Sequence, residues 1–117
     1  MSINEIIVSK FKDEDIELWE ESQVDTNNKP PYNTYKIIND VQDKEAFGNT
    51  VKYCSLSYEI EIWENNKKRC NEKIKKTDKI MSDLGFVRTN VSNQNFLNLH
   101  HSTRNYEIYI EEKRKDR

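Results

Sequence analysis

Four side chains in this sequence carry the chemistry to hold a metal or attack a substrate: Cys54, Cys70, His100 and His101. A zinc site needs ligands that converge on one point. Adjacent histidines in an extended segment project to opposite sides of the chain, so His100 and His101 do not read as a ligand pair. They read as a loop pair without special function. Nucleophilic catalysis needs an activated Cys, Ser or Lys beside an oriented base. Both cysteines fall within apolar stripes, where burial raises a thiol pKa and makes the group inert, so they are expected to be two reduced core thiols. Carboxylates are abundant, with 21 Asp and Glu in the chain. No pair of them stands in surroundings that would drive two pKa values apart, as an acid and a base require. Gly48 and Gly85 are the only glycines, too few and too isolated for a phosphate-cradling loop. The reading is of a protein that is not an enzyme and uses no metal and no cofactor.

What could position side chains at all is limited by composition. The 117 residues fit one domain. Hydrophobic residues make up 34% and charged residues another 34%, so the core must be thin and drawn from a few strongly patterned segments. That favours a sheet covered by a helix. It also favours association with other subunits, which adds buried surface that a small domain lacks. No apolar run reaches the roughly 18–20 residues of a membrane span, and the N-terminus has no basic region followed by an apolar one, so the chain is expected to be soluble and intracellular.

The patterned segments are few. Ser2-Ile3-Asn4-Glu5 has capping-box spacing and predicts a short helix from Ile3 to about Phe11. DEDIELWEE at 13–21 fits neither period cleanly and is assigned a short edge strand at 15–20. Residues 32–38, YNTYKII, read as a strand, and 39–50 as a long hairpin loop. From Cys54 the alternation is regular. Cys54, Leu56, Tyr58, Ile60 and Ile62 face the core, while Ser55, Ser57, Glu59, Glu61 and Trp63 face away. Asn65 and Asn66 then supply turn and N-cap chemistry for a helix carrying Cys70, Ile74, Thr77, Met81 and Leu84 on one side, closed by Gly85. A strand at 86–91 and a last strand through Tyr106, Ile108 and Ile110 complete the pattern. The predicted fold is α+β, a largely antiparallel sheet of four to five strands in the order α-β-β-β-α-β-β. The segment 1–29 precedes a core at 30–112, and 113–117 is a charged tail.

Charge is unevenly placed. Residues 1–66 hold 14 acids and 6 lysines, a balance of −8, whereas residues 67–117 hold 13 bases and 7 acids, a balance of +6. Two readings stand: solvated faces that happen to segregate, or an acidic surface on one subunit that meets a basic surface on the next. The second makes Asp13, Glu14, Glu17, Glu20, Lys73, Lys75 and Lys76 candidate interface residues. Trp19 among the acids and Trp63 on the wet side of its strand join them as aromatic anchors, with cover by a local loop the other reading. The basic helix could contact phosphate. An overall pI near 5.7 and the lack of an aromatic RNA-binding motif argue against sequence-specific nucleic-acid binding.

Three segments, PPYNTYKI at 30–37, YEIEIW at 58–63 running into the helix RCNEKIKKTDKIMSDLGF at 69–86, and RNYEIYIE at 104–111, make residues 30–112 resemble the tail terminator or neck terminator proteins of tailed bacteriophages and phage tail-like particles. The resemblance implies a structural subunit without a cofactor. Such subunits form a ring, usually of six, that caps the tail tube and joins it to the head connector, within a virion or particle assembled in the bacterial cytoplasm. DNA would pass through the lumen without sequence-specific binding, and the loop bearing Asp40, Asp43, Lys44 and Glu45 is a candidate lining. The alternative is a small adaptor or regulatory domain that binds a protein partner through its acidic N-terminal segment.

Overall fold

Capping chemistry sets the first element. In the computed structural model, which describes residues 2–24, 30–42, 51–96 and 99–113, helix α1 spans Ile3–Asp13. The Ser2 hydroxyl accepts from the Glu5 N–H at 3.2 Å and the Glu5 carboxylate accepts from the Ser2 N–H at 3.1 Å, which is the expected capping box. The hydrogen bond from the Ser2 backbone, and then that from its hydroxyl, hold the Glu5 carboxyl below its ordinary value.

The helix ends in a Schellman motif. Ile16 N–H donates to Phe11 O at 2.9 Å and Asp15 N–H to Lys12 O at 3.0 Å, with Asp15 at φ 60°. That left-handed conformation costs a residue with a Cβ about 1 kcal/mol that glycine avoids. Asp15→Gly is therefore expected to raise stability by about 0.5–1 kcal/mol in urea unfolding. A midpoint that falls would show that the Asp15 side chain outweighs its own backbone strain.

Five strands follow: β1 at Leu18–Glu20, β2 at Tyr32–Gln42, β3 at Val51–Glu64, β4 at Val87–Phe96 and β5 at Leu99–Lys113, with helix α2 at Lys67–Asp83 between β3 and β4. They form one sheet in the order β1-β2-β3-β5-β4. Every neighbouring pair is antiparallel except β1–β2. The expected α+β class and element order are observed, and a single 3-10 turn, Glu21–Gln23, is added after β1. Because β3 and β4 both run antiparallel to β5, they are parallel to each other, and α2 is the crossover that joins them. The Asn66 side chain caps α2 by accepting from Arg69 N–H at 3.1 Å. At the far end Gly85, at φ 95°, completes a second Schellman motif through Phe86 N–H to Met81 O at 2.9 Å. No described helix is long and apolar enough to cross a membrane.

The alternation in β3 holds. Tyr58, Ile60 and Ile62 are buried, with Leu56 packed on the cluster, while the Cys54 side chain lies outside the described residues. α1 and α2 both cover this face: Ile7 and Phe11 come from one, Ile80 and Met81 from the other. Ile16 and Leu18 are also buried, so the core draws on chain before residue 30. Ile74 is only half-buried, unlike Cys70, Thr77 and Met81 on the same helix.

β1 covers only Leu18–Glu20 of the expected 15–20, because Asp15 and Ile16 close α1 in its Schellman motif. Three further boundaries differ from expectation. β2 runs on to Gln42, so Asp40 sits in a strand opposite Leu56 and not in a loop. Asp43, Lys44 and Glu45 lie outside the described residues. β4 continues to Phe96, and β5 already begins at Leu99, which places His100 and His101 in a strand. The reason is common to all three. Each stretch has a ladder partner: β2 pairs with β3 as far as Gln42 opposite Cys54, β5 with β3 as far as His100 opposite Glu64, and β4 with β5 as far as Phe96 opposite Leu99. These ladders fix extended backbone in polar stretches whose own side chains carry no strand signal.

Candidate functional site

Cross-strand register brings the chemistry-bearing side chains into rows. On the face away from the helices, Tyr32, Trp63 and His101 lie side by side on β2, β3 and β5. The Trp63 and His101 rings stack with centroids 3.6 Å apart, and Tyr32 lies 6.0 Å from Trp63. His101 Nε2 is 3.1 Å from Glu61 Oε1, and Thr34 Oγ1 donates to Glu61 Oε2 at 3.4 Å. Trp63 is therefore half-buried between two rings and is not a free anchor. His100 projects to the opposite face, where its Nδ1 lies 2.8 Å from Asn95 Oδ1. The two histidines do point apart, as extended backbone requires.

Among the described residues, one group of carboxylates on the open face has ligand spacing: Glu21, Glu59 and Glu61 place oxygens within 4.8 Å of one another. A cation is already among them. Lys36 Nζ lies 3.2 Å from Glu59 and 3.4 Å from Glu21. The hydrogen bond to Glu59, followed by the Glu59 charge and Glu21, raises the lysine pKa. The ammonium compensates the acids, and the cluster reads as a surface ion-pair network.

Under α2 lies a network that the sequence reading missed. Arg104, 4% exposed, donates from Nε and Nη2 to the two oxygens of Asp78 at 3.0 and 2.8 Å. Arg88 Nη1 reaches Asp78 at 2.9 Å, and the Tyr106 hydroxyl donates to Asp78 as well. Burial pushes the Asp78 carboxyl up, but the hydrogen bonds from Arg104 and Tyr106 with the Arg104 and Arg88 charges outweigh it and hold it below its ordinary value. Burial, then the bond to Asp78, pushes the Tyr106 phenol up. Burial followed by the Glu64 charge likewise raises the Cys70 thiol, so it remains protonated and unreactive.

The candidate interface residues scatter over several surfaces. Asp13 and Glu14 are exposed at the end of α1 and share a cleft with Lys76, whose Nζ donates to Glu14 O at 3.4 Å in the same chain. Lys73 is not a solvated lysine: it pairs at 2.8 Å with Glu64, a carboxylate 2% exposed at the end of β3. The apolar helix stripe leaves Lys75 outside, and it is exposed. Glu17 is exposed beside β1, Glu20 is half-buried and accepts from Ser22, and Trp19 is 42% exposed on the edge strand.

Two sheet edges remain, and they are unlike. Along β1 runs a groove of about 580 Å3, with Val8, Ile16, Leu18 and Trp19 on its walls and Lys12, Asp15 and Glu17 at its rim. Glu21 follows directly and is exposed. At the opposite edge, β4 exposes Val87 at 67% and Val91 at 37%. A signal for this edge was present in the sequence: residues 89–103, TNVSNQNFLNLHHST, contain no Asp, Glu, Lys or Arg in a chain that is 34% charged. Beside it α2 brings Lys67 and Asn71 into a cleft with Asn93 and Asn95 of β4, and helical spacing puts exposed Lys75 on the same side of the helix as Asn71. Arg88 is a third base, on β4 itself, and is already paired with Asp78 at 2.9 Å. No protein-family model matches the chain, and no curated protein matches it.

Proposed function

We propose that the chain is a ring-forming structural subunit of a tailed phage or phage tail-like particle, one that caps the tail tube and joins it to the head connector. The observation that carries the ring is the placement of unlike edges on opposite sides of one sheet: at β1 an apolar groove with Asp15 and Glu17 against one lysine, Lys12, at its rim, and at β4 a strand that is uncharged from Thr89 to Phe96, with Arg88 at its start and Lys67 and Lys75 on the neighbouring helix. Head-to-tail association needs two different patches that mate on successive copies until the rotation closes. Complementary charge selects that pairing over like-with-like contact. The particle itself is supported by the resemblance of residues 30–112. The role is non-catalytic, with no cofactor, and DNA passes through the ring without base-specific contact.

Native mass measurement and electron microscopy test the ring. Six copies give six times 14.1 kDa, and Lys67→Glu with Lys75→Glu is expected to return the protein to single subunits, as is raised salt. Lys73 is left alone in that variant, because a carboxylate there would face buried Glu64. Wild-type protein that stays at one or two copies at every concentration, with no rings on grids, would sink the proposal. The groove with its exposed Trp19 favours the second reading, an adaptor that seats a basic apolar peptide there. In that case a monomer would bind such a peptide, and Trp19→Ala would abolish the binding.

A further inference from the structure

Resting on the ring reading, we infer that its interface is strand addition: β4 of one subunit pairs antiparallel with β1 of the next and lays Val91 into the groove. The first support is unpaired backbone. Among the described residues β4 has a ladder partner on the β5 side only, and β1 on the β2 side only. A ten-residue edge with exposed N–H and C=O groups is a template for another strand.

The second support is what the edge lacks. Monomeric proteins protect such edges with lysine or proline. From Thr89 to Phe96, β4 holds neither, nor any charged residue. Charge depletion of this kind marks the centre of an interface. A solvated edge has no need of it.

The third support is direction. β1 and β2 run parallel, β2 and β5 both oppose β3, and β4 opposes β5. The two edge strands therefore run in opposite senses. A rotation axis along the strands preserves each strand's sense from copy to copy, so β4 always meets the next β1 antiparallel, at every junction and with the helices kept on one side. A two-fold contact of β4 with β4 would leave the groove empty and the acidic rim without its bases.

Faces then follow from register. Val91 stands opposite Arg104 on the helix-covered side, the side of Val8 and Leu18, and so enters the groove. Trp19 stands opposite Thr34 on the open side, with Asn90, Ser92 and Gln94 on the corresponding face of β4.

Cysteine pairing tests the inference at protein concentrations where the native mass is measured in parallel. Trp19→Cys is combined in turn with Asn90→Cys, Ser92→Cys and Gln94→Cys, and separately with the opposite-face Asn93→Cys. One of the first three pairs is expected to oxidise into a ladder of linked subunits that ends at the ring, while the Asn93 pair and the wild type give none. Dimers from Ser92→Cys or its neighbours without Trp19→Cys would overturn the inference in favour of a two-fold edge. Rings without any linked pair would overturn it and leave the ring reading standing. Unlinked single subunits throughout would remove both.

Discussion

Ile60→Asp is expected to leave no folded protein. Ile60 is fully buried in the middle of β3, between Tyr35 on β2 and Arg104 on β5, beneath both helices. An aspartate there must either ionise beside the apolar cluster of Phe11, Tyr58 and Met81 or hold a proton at a raised pKa. Either course adds to the lost burial of the isoleucine, and together they cost at least about 4–5 kcal/mol. A domain with a total stability of about 5–15 kcal/mol, most of it from one thin layer, cannot absorb that. Circular dichroism and amide dispersion in NMR spectra should show an unfolded chain. A folded variant would mean that the even-numbered residues of β3 do not face the helices. Ile74→Asp is a weaker perturbation, because Ile74 is half-buried beside a polar cleft that also holds Asn71, Asn93 and His100.

The contrast between those two isoleucines shows what was legible in the sequence. Strand alternation from Leu56 to Ile62, the Ser2–Glu5 capping box, the Asn66 cap and the Gly85 stop are local signals, each written within a few residues, and each is realised. The Schellman end at Asp15 is equally local but uses an aspartate where glycine is usual, so it left no mark. Features that depend on cross-strand partners were not legible. Trp63 looks exposed along β3, but its ring is sandwiched by Tyr32 and His101, which come from 31 residues before and 38 after. Lys73 lies off the apolar stripe of α2, yet it turns to Glu64 because that carboxylate is carried into the interior by the end of β3. Charge placement was half legible: the opposite signs of the two halves could be counted, but which sheet edge each would flank depended on the topology. The charge-free run at 89–103 was countable too, and it gains meaning only once β4 is known to lie at an edge.

The network around Asp78 carries the second large effect. Asp78→Ala removes the carboxylate that receives Arg104, Arg88 and Tyr106 together. Arg104 cannot follow its charge into water, since it is 4% exposed and held between β3 and β4 under α2. A guanidinium left buried without its partner, with a buried phenol beside it, is expected to cost about 3–5 kcal/mol in urea unfolding. Arg104→Met, which takes away the buried charge and fills similar volume, should cost less than Asp78→Ala. If the two variants lose the same small amount, the network is a surface feature without structural weight. Its pH signature has a definite sign. The folded-state pKa of Asp78 is depressed below the ordinary 3.8, so its stabilisation is complete above that value and is lost as pH falls through the lower folded value. Tyr106 works in the other direction: its pKa is raised above the ordinary 10.0, so its share is complete below pH 10 and is lost as pH rises through the folded value. Stability measured from pH 5 downward should therefore fall more steeply in the wild type than in Asp78→Asn, and above pH 10 more steeply in the wild type than in Tyr106→Phe. Parallel curves at the acid end would show that Asp78 does not hold its proton affinity low in the fold, and the pairing with Arg104 would lose its main support.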